Sequence, residues 1–428
     1  MPPLTHSLHR PDAHDTRPVS PFASPIDRAR PATHDPEIER RFKELEKEYK
    51  NPPTEKVPVL SSNPVWKLAD IIGAEAVAQI EHSGQLSFHT VGDTGFNSFP
   101  LVEKTATVEF GKVNKSFATA QEMVIHAMCG DFTESIASGP AFFLHLGDVI
   151  YFQNTRTGYQ EQFYEPYATY GRKIIAITGN HDVEVRLGEQ ANVLAAFREN
   201  FCAATPGIRP AGKHVHPPRE MVAQPGVFWR LDAPFVQIIG LCSNVGESGG
   251  ALRGGNAGQE QYAWLLHTLA EVATEQKAAG QKRRALIVAL HHPPYTTGNH
   301  EASKTMNHDL DQAFETAKVW PDAVLAAHDH NYQRFTRTVE LAGGKSIEIP
   351  YIVAGGGGRY HVQRSHRTGD TPDPVPGLEQ NRFEAGNGYV IVTARKTKLT
   401  LSYRAVDNLS QNKSERISVD LHTRRVIS

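Results

Sequence analysis

The sequence predicts an α/β fold, an α+β sandwich of two packed mixed β-sheets flanked by helices. Three observations carry this. Short apolar, β-branched runs recur between residues 84 and 326 with helical patterns between them, and unbroken apolar runs of that length mark strands covered on both faces. After residue 335 the pattern is strand only, which asks for a second sheet packed on the first. Four of five polar, ligand-rich motifs directly follow an apolar run, where an open α/β sheet collects its ligand-binding loops.

Residues 1–34 are rich in Pro, His, Ser, Thr and Asp, too polar to bury the apolar area that offsets ordering entropy, and read as a tail. Asp35-Pro36 suits an N-cap and first turn. Ile38, Phe42, Leu45 and Tyr49 follow at helical spacing until Asn51-Pro52-Pro53, so residues 1–56 are expected to form a tail plus a charged helix and 57–428 one main domain. Strands are expected at Leu86–Val91, Ala141–Leu144, Lys173–Ile177, Ala285–Leu290 and Val324–Ala326, with two more between Val227 and Leu241 turned at Ala233-Pro234. Helices are expected at Ala118–Met128 and Gln259–Lys277, the latter with Tyr262, Leu265, Leu266, Leu269 and Val272 on one face. Ile347–Ala354, Tyr389–Thr393 and Lys398–Tyr403 supply the late strands. Two long loops, Pro-rich 203–226 and Gly-rich 243–258, are candidate walls of a site.

A formal charge of −2 over 428 residues leaves no basic stripe for nucleic acid. Three widely spaced cysteines, Cys129, Cys202 and Cys242, argue against a disulfide scaffold. No run reaches the ~20 apolar residues of a membrane span, and the start lacks the basic-then-apolar pattern of a signal peptide. A cytoplasmic protein with neither nucleic-acid nor membrane partner is expected.

The motifs are Val91-Gly92-Asp93-Thr94-Gly95, Gly147-Asp148-Val149-Ile150-Tyr151, Gly179-Asn180-His181-Asp182, His291-His292-Pro293-Pro294-Tyr295 and His328-Asp329-His330. Carboxylate, amide, phenol and imidazole donors in that mixture suit two hard or borderline metal ions rather than a Cys-rich zinc site.

Over residues 84–405, these five runs in order resemble the calcineurin-like metallophosphoesterase superfamily, and within it the purple acid phosphatases. Ala327 replaces the Gly usual before His328, and Gln261–Leu265 looks like the helix before the fourth motif. Ordinary members carry Asp-x-His in the first motif; here it is Asp93-Thr94-Gly95, with Tyr151 three residues past Asp148, as in purple acid phosphatases. The resemblance implies Asp93, Asp148, Tyr151 and His330 at a first metal and Asp148, Asn180, His291 and His328 at a second, with Asp148 bridging. A phenol of ordinary pKa ~10 binds as phenolate only to a strong Lewis acid, so Fe(III) is expected at the Tyr151 site and Fe(II), Zn or Mn at the second. The alternative for Tyr151 is a strand-end aromatic beside a divalent ion.

His181 is implied to bind phosphate and assist the leaving group, with Asp182 holding its other ring nitrogen. His300 is a second candidate proton donor, or else an exposed loop residue. His292 is read as a hydrogen-bonded flanking residue pointing away from the metals, His89 and His145 as packed residues, and His214 and His216 as plain loop residues. The reaction implied is hydrolysis of a small phosphoester, as a phosphomonoesterase, by water that the ions activate. The alternatives are a phosphodiesterase acting on cyclic nucleotides or nucleotidyl diesters, and a scaffold without catalysis.

Overall fold

The computed structural model describes residues 40, 43–50, 64–95, 119–188, 193–245, 250–300, 302–303, 305–359, 375–406 and 414–427. The tail, the Asp35-Pro36 cap, Ile38 and Phe42 lie outside them. In chain order the strands are β1 (Tyr49–Lys50), β2 (Val65–Lys67), β3 (Gln85–Val91), β4 (Pro140–His145), β5 (Lys173–Ala176), β6 (Val185–Arg186), β7 (Gly207–Ile208), β8 (Glu220–Met221), β9 (Trp229–Asp232) and β10 (Val236–Gly240). They continue with β11 (Ala285–Ala289), β12 (Ala323–Ala326), β13 (Tyr332–Leu341), β14 (Lys345–Ala354), β15 (Leu378–Glu384), β16 (Gly388–Arg395), β17 (Lys398–Ala405), β18 (Ser414–Asp420) and β19 (Val426–Ile427).

Two mixed sheets dominate. One runs β15-β13-β14-β12-β11-β10-β9-β2 and the other β19-β18-β17-β16-β3-β4-β5. β3, β4 and β5 are mutually parallel neighbours in the second sheet; β10, β11, β12 and β14 are so in the first. The inner faces meet in a core built from Phe88, Phe142, Leu144 and Ile175 on one side and Ile238, Ile287, Leu325 and Ile352 on the other. Helices Gly255–Ala279 and Met306–Ala317 cover the outer face of the first sheet through Leu265, Leu269, Leu310 and Phe314. The helix Ala120–Gly130 and a dense aromatic group, Tyr159, Phe163, Tyr167 and Phe201, cover the second. That first helix opens on a capping box, Thr119 and Glu122 each accepting the other's backbone N–H at 3.1 Å.

The two-sheet sandwich is as expected, with one correction. The late strands do not form a sheet of their own. β13–β15 extend the sheet of β11 and β12, while β16–β19 extend that of β3, with Val390 opposite Thr90. A second correction concerns the N-terminal helix. It ends before Tyr49, which pairs with Arg186 in β1–β6 and packs its ring 5.4 Å from that of Phe152. The helix Met306–Ala317 and the helix Ala74–Ser83 were not foreseen.

Loop 203–226 packs over the aromatic side of the second sheet. Gln224 accepts the N–H of Ala176, and Arg209 donates to carbonyls of Asn200 and Val222. Of loop 243–258, the described residues 243–245 and 250–254, before the helix begins at Gly255, instead press on the His291-His292 segment: Ser243 bonds the His292 ring and Ser303 ties down Gly250. Of the two candidate walls, only the second flanks the motif residues. Cys129, Cys202 and Cys242 are free thiols. Among the described residues no helix is long and apolar enough to cross a membrane.

Candidate metal centre

The parallel strands bring their C-terminal ends to one crevice. β3 leads to Asp93, β4 to Asp148 and Tyr151, β5 to Asn180 and His181, β11 to His291, and β12 to His328 and His330. Asp93, Asp148 and His328 all have left-handed backbones, with φ of +59°, +52° and +71°. Such a conformation costs a non-glycine residue of order 1–3 kcal/mol, and clusters where function requires it. Neighbouring loops hold it in place. His328 N–H donates to Asp93 Oδ2 at 2.8 Å, and Arg359 N–H to the Asp93 carbonyl at 3.0 Å. Gly179 is required here, since a Cβ there would lie 2.0 Å from Asp148 Oδ1. Ala327 is tolerated in place of the family glycine because the left-handed turn falls on His328, not on it.

The seven candidate ligands converge. Tyr151 Oη lies 3.2 Å from Asp93 Oδ1 and 3.3 Å from His330 Nε2. His330 Nε2 is 3.6 Å from Asp93 Oδ1. His291 Nε2 is 3.3 Å from Asp148 Oδ2, 4.0 Å from Asp93 Oδ1 and 3.0 Å from Asn180 Oδ1. Asp148, His291 and His328 each offer a ligand atom, all within 4.8 Å of one another. His291 Nδ1 is bonded to the Leu146 carbonyl at 2.8 Å. A carbonyl can only accept, so Nδ1 carries a proton and Nε2 is the nitrogen left for a metal ion.

These donors fit cations. Asp148 Oδ2 is buried without a hydrogen bond, a costly state for a carboxylate oxygen. Burial and the Asp148 charge push the Asp93 carboxyl well up, opposed by His291. Burial also works against Asp148, but His291 and His181 pull it below the ordinary range. His291 in turn, despite burial, is held up at about 9 by Asp148 and Asp93. Two buried carboxylates that cannot both ionise comfortably, with a proton borrowed by an imidazole, are what a cation between them resolves. Tyr151, raised well above its usual pKa by burial and then by Asp93 and Asp148, needs the same help to ionise.

His181 lies on the same crevice, its ring centroid 4.1 Å from that of Tyr151 and its Nε2 4.0 Å from Asp148 Oδ2. Its partner is not the expected one. Asp182 turns inward and accepts N–H groups of Gly179 at 2.8 Å, Asp148 at 2.9 Å and Val149 at 3.2 Å, so it shapes the two motif loops. Its carboxyl is raised to about 7 by burial and the Asp148 charge. Glu184, missed in the sequence, holds His181 Nδ1 at 2.6 Å. Burial lowers the His181 pKa, but Glu184 and Asp148 outweigh it and the net direction is up.

His300 is not an exposed loop residue. Its ring lies 4.6 Å from that of His328 and 5.4 Å from that of His330; burial, then His181, depress it to about 4. Its backbone N–H donates to Asp329 Oδ1 at 3.2 Å. His292 bonds Ser243 Oγ at 2.8 Å as expected, but its ring also faces His328, 4.5 Å between centroids. His89 is packed between Tyr170 and Asp131, and His145 bonds Thr94 Oγ1 at 2.8 Å beneath the first motif. His214 and His216 are exposed.

The model of the calcineurin-like phosphoesterase family matches residues 87–332, more than half the chain. The chain belongs to the calcineurin-like phosphoesterase family. The family implies a dinuclear metal centre, with which the buried Asp148–His291–His328 group is compatible. No curated protein matches the chain in sequence. Among solved structures it is similar to the purple acid phosphatase PPD1 from yellow lupin (Lupinus luteus) seeds, at 17% identity and a TM-score of 0.48 over 79% of this chain; it spans only 55% of the lupin chain. It is also similar to GAP50, the anchor in the inner membrane complex of Plasmodium, at 12% identity and a TM-score of 0.48, covering 80% of this chain and 91% of that one. A dimetal phosphatase from Danio rerio matches at 10% identity and a TM-score of 0.36, covering 77% and 98%.

Proposed function

We propose that this phosphoesterase is a purple-acid-phosphatase-like phosphomonoesterase. Asp93, Asp148, Tyr151 and His330 would hold Fe(III), and Asp148, Asn180, His291 and His328 would hold Fe(II), Zn or Mn, with Asp148 shared. One observation carries the subclass: the buried Tyr151 hydroxyl lies between Asp93 Oδ1 and His330 Nε2, within 3.3 Å of both, where a phenol is a ligand-type neighbour and a poor packing residue.

When bound, two such ions supply an activated water and neutralise phosphoryl charge. The protein's part is positioning and proton transfer. Glu184 fixes the His181 ring and favours its protonated form. An imidazolium beside the crevice can bind a phosphoryl oxygen and give its proton to the departing alkoxide. His300, held near 4, is neutral at working pH, so it offers a hydrogen bond rather than a proton, and His181 takes the acid role ahead of it. No covalent intermediate is required.

The test is a purified, metal-analysed protein assayed on p-nitrophenyl phosphate and on bis(p-nitrophenyl) phosphate, with its visible spectrum recorded. Two metals per chain, a phenolate-to-iron band and preference for the monoester are expected. A colourless oxidised protein that cleaves only the diester would replace this reading with a divalent phosphodiesterase.

A further inference from the structure

A sixth loop enters the crevice, and its described residues 355–359 include no metal-ligand residue type. β14 runs parallel to β12, so its C-terminal end opens on the same side. It leads into Gly355-Gly356-Gly357-Gly358 and then Arg359. The glycines are there because the backbone must lie flat on the motif loops. A Cβ on Gly355 would meet the Asp329 carbonyl at 2.0 Å and Asp93 Oδ2 at 2.7 Å; one on Gly357 would meet the Gly92 carbonyl at 2.2 Å. The run is stitched down by Gly355 N–H to the Asn331 carbonyl, Gly357 N–H to that of Gly92 and Arg359 N–H to that of Asp93, at 3.0, 3.1 and 3.0 Å.

The run delivers one long cation to the site. Arg359 is 2% exposed, and its guanidinium lies 5.1 Å from the centroid of the Tyr151 ring. It therefore lies on the Tyr151 side of the crevice. A guanidinium fork matches two oxygens of one phosphoryl group, and metal cations on Asp93 and Asp148 would bring such a group into this crevice.

We infer that Arg359 binds the substrate phosphoryl group and biases the site toward the doubly charged monoester. This rests on the phosphoesterase reading above. A dianion gains more from the extra charge than a singly charged diester, so Arg359 bears on substrate class as well as affinity.

The test uses the metal-loaded full chain and its Arg359→Gln and Arg359→Lys variants. Calorimetric binding of inorganic phosphate is the first readout and needs no turnover. Arg359→Gln should weaken phosphate binding about tenfold or more, the usual worth of a charge-assisted hydrogen-bonding group, with unchanged metal content and melting temperature. Arg359→Lys should recover part of that loss. In turnover, KM for p-nitrophenyl phosphate should rise more than KM for its methyl diester. Unchanged phosphate affinity in the Gln variant would overturn the inference, and so would loss of metals from both variants, which would make Arg359 a structural prop of the Tyr151 side. A wild type that binds phosphate through Arg359 but cleaves neither ester would sink the proposed activity and leave this inference standing.

Discussion

Glu184 Oε1 holds His181 Nδ1 at 2.6 Å, and the same carboxyl's Oε2 accepts the Phe152 N–H at 2.6 Å. One acid thus orients the candidate proton donor and anchors the loop beyond Tyr151. Burial raises Glu184, while its contact with His181 draws it back down, and His181 is lifted in return.

Glu184→Gln is expected to keep the hydrogen bond and lose the charge. The His181 pKa then falls, so the alkaline limb of the pH–rate profile moves to lower pH. Activity near neutrality should drop on the order of 10–100-fold, typical for the outer partner of an active-site histidine. Metal content should be unaffected. A profile superimposable on the wild type would remove Glu184 from the mechanism.

Asp148→Ala should empty the site of both metals and abolish activity. Asp148 Oδ2 faces His291 at 3.3 Å and His181 at 4.0 Å, and no other described carboxylate combines those neighbours with a missing hydrogen bond. Elemental analysis finding two metals in the variant would end its assignment as the bridge.

Metal binding should strengthen with pH. In the metal-free protein the folded His291 pKa, about 9, exceeds the ~6.5 of a free imidazole. Its protonation therefore favours the folded state fully below ~6.5, and that contribution fades as pH rises to about 9. A ligand imidazole must be neutral, so metal affinity climbs across the same window, and the raised Asp93 carboxyl adds to the proton release. Chelator-stripped protein titrated with Zn(II) between pH 6 and 9.5 should show this rise. At a hundredfold excess over Kd the metal should add ~2.7 kcal/mol of stability. A pH-independent affinity would count against both groups as ligands.

Tyr151→Phe tests the iron. The Tyr151 backbone is clamped by Gln162, which accepts its N–H and donates to its carbonyl, both at 2.9 Å, so the loop should survive loss of the hydroxyl. The visible band should vanish while the melting temperature changes little. A band that persists would mean that the chromophore is not this phenol.

The candidate ligands were legible because each lies a few residues past a parallel strand, and parallel strands share one ligand-binding end. The Gly355–Gly358 loop obeys the same rule after β14. It was overlooked because glycine and arginine are not metal-ligand types. Asp182 was mistaken for the His181 partner because it is adjacent. In the 3₁₀ turn His181–Val183, residues three apart eclipse, which returns Glu184 to the histidine and sends Asp182 inward. The split of the late strands was not readable at all. An antiparallel pair such as β16 with β3 joins segments about 300 residues apart, and no local pattern encodes that choice.

His181→Ala should separate proton donation from metal holding. The ring is held by Glu184 and packs on the Tyr151 ring, 4.1 Å between centroids, while its backbone N–H and Nε2 approach Asp148 at 2.8 and 4.0 Å and no ring nitrogen is a candidate metal donor. Metal content should therefore stay near two per chain. Turnover of alkyl phosphates should fall by ~10²–10⁴, the usual worth of a positioned general acid. The loss should shrink for p-nitrophenyl phosphate, whose leaving group departs without a proton. His300, neutral because burial and His181 hold it near 4, gains basicity once the His181 charge is gone, so some residual acid catalysis should appear at low pH. An equal loss for good and poor leaving groups would make phosphate binding the main task of His181. Metal loss alongside it would make His181 a structural or ligating residue.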